Sequence, residues 1–275
     1  MRFPILGFGT LLIAGDAPAD RYVRLHYAPN HNFSDGTYVP AQAGFNLADV
    51  SNVNQLTALP AGVPGLIWVG QCAGVDTRFI ATITPYIGKT GIFGFFLMDD
   101  PDPRPGLLTG RAECEPADLM VESDWIHTHI PGAKTFIVPM NLASAYAPSF
   151  NGTYNPANTH VDLYGIDPYP CRTEAGGCDY SMIDKFVRAA EASGIPRSRM
   201  VPAYQAFGAG KWQDGNGGSY ILPTPEQLRE LLDRWRRAIP APVFDMAYSW
   251  GSQNGDAALE NAPELQRAFA DHNVR

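Results

Sequence analysis

Strand-like apolar segments alternate along this chain with amphipathic, helix-like segments. Each strand-like segment is a short run rich in apolar and β-branched residues, and apolar positions recur at helical spacing in the stretches between them. The predicted strands are Ala43–Val50, Gly65–Gln71, Ile92–Met98, Thr135–Asn141, Val161–Asp167, Met200–Phe207 and Val243–Trp250. The predicted helices are Asn52–Leu59, Thr77–Ile87, Pro116–His129, Tyr180–Ser193, Pro225–Ala238 and Ala258–His272.

This alternation predicts a parallel α/β architecture, because helices connect consecutive strands of a parallel sheet. A further strand over Tyr22–Tyr27 would close a single (β/α)8 TIM barrel whose first repeat is irregular or incomplete. The alternative is an open, doubly wound sheet. Against it, the first strand-to-helix turn, Asn46–Ser51, has no glycine-rich dinucleotide fingerprint. We therefore predict one barrel domain over residues 20–275.

The segment Gly91–Pro103 is an apolar run that ends in three aspartates and two prolines. A run of this kind is typical of a strand buried on both faces, and the prolines prevent its continuation. Barrel active sites lie at the C-terminal ends of the strands. Asp99, Asp100 and Asp102 are therefore candidates for the chemistry, and the alternative is that they cap a helix or lie in a solvated loop.

Other predicted strands also end in polar or aromatic side chains. Successive side chains of a barrel strand point alternately to the interior and to the helices, and crowding favours small residues inside. If small residues such as Gly94 and Gly165 point inward, alternation predicts that four polar side chains also point inward: Asn46, Asp100, Asp167 and Gln205. It turns Asp49 towards the helix layer, where this carboxylate would cap the following helix.

Two convergent carboxylates, Asp100 and Asp167, suit acid/base chemistry on a glycosidic bond, which needs one proton donor and one base or nucleophile. We predict these two as catalytic. Aromatic side chains near them would stack on sugar rings, or else they cap the barrel core. The predicted substrate-binding residues are Asp99, Asn46, Asn141, Tyr169, Tyr204, Gln205, Tyr248 and Trp250.

Composition and charge limit the classes of binding partner. The 275-residue chain has a net charge of −8 and no cluster of lysine or arginine, which argues against nucleic acid and against an anionic membrane surface. Residues 1–19 combine a basic start, an apolar stretch and a small-residue exit, which predicts a signal peptide; the alternative is an ordinary first strand. We expect a secreted monomer.

Four cysteines agree with export, because none belongs to a zinc-type pair. The predicted disulfides are Cys72 with Cys114 and Cys171 with Cys178. The histidines show no HExxH spacing, so we expect no metal site and no cofactor. A metal-assisted hydrolase that uses the Asp99, Asp100 and Asp102 cluster is a less favoured alternative, because no histidine joins the three acids.

Four motifs together resemble secreted glycoside-hydrolase-like TIM barrels, over roughly Gly44 to Asn273. These motifs are Leu97–Pro103, Tyr164–Pro170, Pro202–Gly208 and Phe244–Gly251. The resemblance implies that Asp100 stands where those proteins usually carry a glutamate as general acid. It also implies a layout similar to the retaining-glycosidase clan, with acid/base on strand four, nucleophile on strand seven and a sugar-stacking tryptophan on strand eight.

Gln205 occupies the strand-seven position and cannot act as a nucleophile. Three alternatives follow. Asp167 serves as base or nucleophile, or a group of the substrate itself takes part as in chitinase-like barrels, or the barrel binds glycan without cleaving it. We predict a glycosidase acting on a polysaccharide or glycan, and the rival is a non-catalytic carbohydrate-binding barrel.

Overall fold

The computed structural model describes residues 24–106, 112–213 and 218–274. Eight strands and seven α-helices dominate it. The strands are β1 (Leu25–Tyr27), β2 (Ala48–Val50), β3 (Gly65–Trp68), β4 (Ile92–Asp99), β5 (Lys134–Val138), β6 (Leu163–Ile166), β7 (Met200–Gln205) and β8 (Phe244–Tyr248). The helices are α1 (Val53–Thr57), α2 (Thr77–Ile83), α3 (Pro116–His129), α4 (Pro156–Thr159), α5 (Ser181–Ala192), α6 (Pro225–Ala238) and α7 (Pro263–Asn273).

The eight strands form one parallel sheet in which each strand pairs with its neighbours in sequence, and β1 pairs with β8. A single parallel bridge between Tyr27 and Leu47 joins β1 to β2 and completes the circle. The predicted (β/α)8 barrel is confirmed. Its first repeat is irregular, because a short hairpin and a 3-10 turn at Pro40–Ala43 replace the helix between β1 and β2.

All seven strands and six helices predicted from the pattern are present, with shifted ends. The second strand begins only at Ala48, because Pro40–Ala43 forms the 3-10 turn and Gly44 follows it with a left-handed φ of 77°. Helix α6 begins as its sequence predicts: the Thr224 hydroxyl accepts from the Gln227 N–H, and the Gln227 side chain accepts from the Thr224 N–H. The predicted signal peptide, residues 1–19, lies outside the described residues.

Phenylalanine rings fill the inside of the barrel. Phe136 lies at the centre, with its ring centroid 4.6 Å from that of Phe96 and 5.1 Å from that of Phe244. Phe93 packs edge-on against Phe244 at 5.5 Å. This inner cluster is distinct from the larger apolar layer between strands and helices. The interior is therefore a packed core below an open mouth.

Strand β4 carries two irregularities. Its pairing shifts by one residue against β3 near Gly94, and again against β5 between Phe96 and Met98. Phe93 and Phe96 consequently both contact the inner cluster, although strict alternation would place them on opposite faces. Gly94 permits the close approach to β5, since a Cβ at this position would lie 2.2 Å from the carbonyl oxygen of Lys134.

Both predicted disulfides are present. Cys72–Cys114 ties the loop after β3 to the segment before α3, and Cys171–Cys178 closes a small antiparallel hairpin after β6. Both lie beyond the C-terminal ends of strands, the face where a barrel carries its site. Among the described residues, no helix has the length and apolar character that crossing a membrane requires.

The two disulfides are expected to stabilise the fold unequally. Cys72 and Cys114 are separated by 42 residues and Cys171 and Cys178 by 7, and a crosslink that closes a longer loop removes more entropy from the unfolded chain. A Cys72→Ser/Cys114→Ser variant should lose about 4 kcal/mol of unfolding free energy, against about 2.5 kcal/mol for Cys171→Ser/Cys178→Ser. Urea denaturation without reductant measures both losses. A larger loss from the short loop would contradict this account.

Candidate active site

Three aspartates from two strand ends line one cavity of about 310 Å³ at the mouth of the barrel. Asp99 is the last residue of β4, Asp100 follows it, and Asp167 comes directly after β6. Because neighbouring parallel strands end at the same rim, carboxylates from β4 and β6 converge across the end of β5. The structure thus brings Asp99, Asp100 and Asp167 together.

Strict alternation along β4 would turn only one of Asp99 and Asp100 towards the cavity, but both line it. The second irregularity of the strand inserts one residue between Phe96 and Asp99, so both side chains line the barrel mouth. Asp100 then adopts a left-handed φ of 47°, and its N–H donates to the carbonyl of Val138 at 2.9 Å. The inward direction inferred for Asp100 from Gly94 therefore rested on a regularity that β4 lacks.

Burial and mutual repulsion raise the pKa values of these carboxyl groups. Burial raises the pKa of Asp99 to about 7, and the charge of Asp100 adds to the shift. Burial likewise raises the pKa of Asp167 well above its ordinary value, with further contributions from the charges of Asp100 and Asp99. The pKa of Asp100 is raised by burial. Neighbouring carboxyl groups with raised pKa values allow one of them to donate a proton while another is ionised.

Arg172 supplies a buried positive charge beside the acids. Its guanidinium donates to the carbonyl of Tyr169 at 2.8 Å and to that of Pro168 at 3.1 Å, immediately after Asp167 in the chain. The same group lies over the ring of Tyr220, 4.9 Å from its centroid. Its charge opposes the rise in the pKa of Asp167. Arg172 therefore fixes the backbone that carries Asp167 and moderates its proton affinity.

Aromatic rings form one wall of the cavity. Tyr248 stacks on Trp212 with 5.9 Å between centroids, and Tyr169 packs edge-on against Phe207 at 5.0 Å. Tyr220 completes the wall. The sequence analysis identifies Tyr169 and Tyr248 but not Trp212. Trp212 lies in the loop after β7, and loops that follow barrel strands line the active-site face, so its position could have indicated it. Exposed ring faces of this kind can stack on the apolar face of a sugar.

A second cavity of about 350 Å³ adjoins the first and contains Asp49, Asp99 and Tyr169. The Tyr27 hydroxyl donates to Asp49 at 3.0 Å, and the N–H of Asn30 donates to the other oxygen at 2.9 Å. The predicted outward direction of Asp49 is therefore wrong. The small residue Ala48 packs in the layer between strands and helices, so its neighbour Asp49 points inward, and Asn52 is the residue that caps α1.

A third cavity of about 560 Å³ extends the cleft past Asn141, Asp100 and Asp167. The Asn141 side-chain oxygen accepts from the N–H groups of Ala143 and Ser149 at 3.2 and 3.0 Å, which fixes the loop that follows β5. Tyr169 lines all three cavities. Together they form an extended cleft with the acids at its centre.

Gln205 holds a loop and does not face the cleft. The side chain is fully buried. Its oxygen accepts from the N–H of Cys171 at 2.8 Å, and its nitrogen donates to the carbonyls of Cys171 and Ile221 at 2.9 and 3.0 Å. The predicted role of Gln205 in sugar binding is corrected. Its amide instead forms hydrogen bonds with backbone groups of Cys171 and Ile221, which hold the disulfide hairpin in place. The inward direction predicted for the side chain does not by itself indicate access to solvent.

Tyr204 and Trp250 belong to the layer between strands and helices. The Tyr204 hydroxyl donates to Asp245 at 3.2 Å, and its ring packs against Phe269. Trp250 is 2% exposed, and its ring lies 6.4 Å from that of Phe45. Both were predicted to bind sugar, and the structure places both in apolar packing. Because aromatic side chains serve equally well as core and as sugar platforms, the sequence could not separate the two uses.

Asn46 lies at the opposite end of its strand from the cleft. Its side-chain oxygen accepts from the N–H of His26 at 2.7 Å, and its nitrogen donates to the carbonyl of Arg24 at 3.1 Å. The predicted substrate contact is therefore corrected. Strand β2 begins only at Ala48, so Asn46 precedes the strand and pairs with the start of β1.

Asp102 does not join Asp99 and Asp100 as a metal-ligating set. Its carboxylate pairs with Arg104 at 2.6 Å, which lowers the pKa of this carboxyl. Within the described part of the chain, the one group of three ligand-type side chains whose donor atoms lie within 4.8 Å of one another contains none of the three acids. The geometry therefore gives no support to a metal-assisted reaction on this cluster.

Comparisons with solved structures identify barrels of the same fold. A class V chitinase mutant from Cycas revoluta, solved with (GlcNAc)3, aligns over 90% of this chain and 99% of its own, with 11% identity and a TM-score of 0.54. A chitinase from Rhizomucor miehei aligns over 86% and 96%, with 14% identity and a TM-score of 0.52. A candidate α-L-fucosidase from Bacteroides thetaiotaomicron aligns over 98% and 99%, with 10% identity and a TM-score of 0.52.

This chain has the fold of glycoside hydrolase barrels. The resemblance noted from the four motifs is confirmed at that level. A scan against protein-family models finds no match, and a search of curated proteins finds no relative. Identities of 10–14% show the shared fold and leave the chemistry to the site itself.

Replacing Gln205 with leucine should destabilise the protein by about 2–4 kcal/mol, because buried backbone groups of Cys171 and Ile221 would lose their partners. Urea denaturation measures the change. The matched control is Gln42→Leu, because Gln42 is exposed and a substitution there should change stability by less than about 0.5 kcal/mol. Equal stability of the two variants would show that the Gln205 bonds contribute nothing.

Replacing Asp99 with asparagine should stabilise the fold at about pH 8 by roughly 1–2 kcal/mol. The pKa of Asp99 is raised to about 7 in the folded state, so the folded state holds the proton more tightly. Wild-type stability is therefore lost as the pH rises through the folded pKa. The gain should disappear near pH 3, where both states are protonated. Asp102→Asn, which removes an ion-paired carboxyl, should give no gain at pH 8. A pH-independent effect of Asp99→Asn would contradict the burial argument.

Proposed function

We propose that this protein is a glycoside hydrolase that cleaves a polysaccharide or glycan by carboxylate acid/base catalysis. The observation that carries the proposal is the shared cavity of Asp99, Asp100 and Asp167 beneath an aromatic wall. Glycosidic cleavage needs a protonated and an ionised carboxyl on either side of one bond. Raised pKa values in a cluster of like charges supply both forms near neutral pH.

Asp100 and Asp167 are the proposed catalytic pair. The sequence argument made Asp100 the general acid and Asp167 the base or nucleophile. The electrostatics favour the reverse assignment, because burial and two neighbouring charges raise the pKa of Asp167, whereas burial alone raises that of Asp100. Asp99, whose carboxyl group lines the same cavity, would exchange protons with both. Tyr169, Tyr248 and Trp212 would hold the sugar rings, and Asn141 would shape the wall of the cleft.

The extended cleft supports a chain-like substrate. Three adjoining cavities share Tyr169 and continue beyond the acids in two directions, towards Asp49 and towards Asn141. A single monosaccharide would leave most of this space unfilled. The Cycas revoluta chitinase, whose fold this chain shares, was solved with (GlcNAc)3. Chito-oligosaccharides are therefore the first substrates to test, followed by other neutral glycans.

We further propose that the protein acts outside the cytoplasm as a monomer. Two disulfides support export, because such bonds persist in oxidising compartments. The partner is the glycan itself, and the acidic cleft is unfavourable for nucleic acid because phosphates would meet several carboxylates.

A non-catalytic carbohydrate-binding barrel is the second candidate function. One observation favours it: Gln205, at the strand where the retaining-glycosidase layout carries its nucleophile, has its amide fully engaged by backbone groups. In that case the aromatic wall and the acids would bind glycan, and no bond would be broken.

The deciding experiment is release of reducing ends from a panel of polysaccharides and chito-oligosaccharides. Asp100→Asn and Asp167→Asn should each lower the rate by about 10²–10⁴-fold, because each removes proton transfer or nucleophilic attack. Asp102→Asn is the matched control, since that carboxyl pairs with Arg104, and should retain the wild-type rate.

Aryl glycosides with an acidic phenol leaving group assign the roles, because such a group departs without protonation. The variant of the general acid should regain activity on them, and the variant of the base or nucleophile should not. Glycan binding by the wild type with no release from any substrate would replace the hydrolase with the binding barrel.

A further inference from the structure

A second cluster of chemically capable side chains lies between the strands and the C-terminal helix, outside the cleft. His26 of β1 and His272 of α7 both contact the carboxylate of Asp245 on β8. His26 Nδ1 is 2.7 Å from one oxygen, and His272 Nε2 is 3.1 Å from the other. The donor atoms of the three residues all lie within 4.8 Å of one another. The proposed hydrolysis does not use this cluster, and Asp245 is its one residue that lies in a sequence motif.

We propose that His26, Asp245 and His272 form a binding site for one Zn²⁺ ion that joins the first strand, the last strand and the last helix. Two imidazole nitrogens and one carboxylate oxygen are a ligand set that zinc commonly takes, with the fourth position left to water. The hard ions Ca²⁺ and Mg²⁺ prefer oxygen ligands and would not select two imidazoles.

The arrangement of the rings fits a shared ion. Two imidazoles bound to one tetrahedral ion at about 2.0–2.1 Å place their ring centroids roughly 5 Å apart. The centroids of His26 and His272 are 5.5 Å apart, with the ring planes inclined by 67°. Small rotations of the two rings would therefore suffice to direct both nitrogens at one point beside the Asp245 oxygens.

Asp245 has the properties of a ligand and lacks a fixed counter-charge. It is 3% exposed, and its side-chain partners are two imidazoles and the hydroxyl of Tyr204, none of them permanently charged. A divalent ion would supply the compensating charge, and Tyr204 would orient the carboxylate as an outer-shell donor.

A cavity of about 340 Å³ gives the cluster a route to solvent, since His26 and His272 both line it. The other charged residues of its lining are Arg24, Arg229, Arg236, Asp233 and Asp271. Arg236 pairs with Asp233 at 2.7 Å, and Arg229 pairs with Glu226 at 3.3 Å. These ion pairs offset most of the positive charge that an entering cation would meet. The cavity also provides room for a water molecule as the fourth ligand.

The site would hold strand β1 against β8 and α7, beside the point where the barrel closes. Strand β1 is three residues long and meets β2 through a single bridge. A metal held by β1, β8 and α7 would close this region as a zinc ion closes a small domain, because binding to the folded state alone lowers its free energy. The expected role is structural, so the proposal is independent of the activity at the cleft.

The test measures Zn²⁺ binding directly, on protein without a histidine tag. After chelator treatment and dialysis, titration calorimetry and metal analysis should give about one Zn²⁺ per chain. At a free Zn²⁺ concentration 100-fold above the dissociation constant, the melting temperature should rise by roughly 5–10 °C relative to EDTA. Co²⁺ should give the visible absorption of a four-coordinate nitrogen and oxygen site.

Variants separate a metal site from a hydrogen-bond network. His272→Gln should weaken Zn²⁺ binding at least tenfold and lower the thermal shift to about half or less at the same free Zn²⁺ concentration. His127→Gln is the matched control, because His127 also pairs with a carboxylate, Asp162 at 2.8 Å, outside any three-ligand group of the described chain. It should bind Zn²⁺ as the wild type does.

Three results would overturn the proposal: no zinc bound by the wild type, the same melting temperature in Zn²⁺ and in EDTA, or equal binding by His272→Gln and the wild type. If His26→Gln fails to fold, His272→Gln and Asp245→Asn still decide the question, since each is compared in Zn²⁺ and in EDTA.

Discussion

The packing of phenylalanine rings inside the barrel is the constraint on which the site depends. Phe93, Phe96, Phe136 and Phe244 fill the interior, so the strands that carry them cannot slide without opening a void. Strand β4 contributes two of these rings at positions that strict alternation forbids, and it does so by shifting its pairing twice. The same shift delivers Asp99 to the mouth. Core packing thus decides where the carboxylates emerge.

Crowding of several acids in one place opposes folding, and the surrounding structure offsets that cost. Desolvation and repulsion among Asp99, Asp100 and Asp167 disfavour their ionised forms. The loops around them are fixed by two disulfides, by the buried amide of Gln205 and by the guanidinium of Arg172. The disulfides, Gln205 and Arg172 stabilise the loops. The ionised forms of the three carboxyl groups remain disfavoured, so these groups can exchange protons.

Much of the fold could be predicted from the sequence, because the apolar period of each segment is a local property. The disulfide pairs followed from loop positions on one rim, and Asp100 and Asp167 from the ends of their strands. The details that failed depend on tertiary context. A one-residue insertion in β4 reverses a face without leaving a pattern in the letters, and the outward direction of the small residue Ala48 does the same for Asp49. Whether Gln205, Tyr204 or Trp250 meets solvent was decided by loops and helices distant in sequence.

Gln205 contacts the disulfide hairpin only through backbone atoms, the N–H and carbonyl of Cys171 and the carbonyl of Ile221. These hydrogen bonds do not depend on the identity of the side chains in the hairpin. The exposed residues between Arg172 and Gly176 can therefore be exchanged while the frame beneath them keeps its shape. The hairpin is accordingly a part of the cleft whose exposed side chains can vary, by evolution or by design, without new demands on the stability of the barrel.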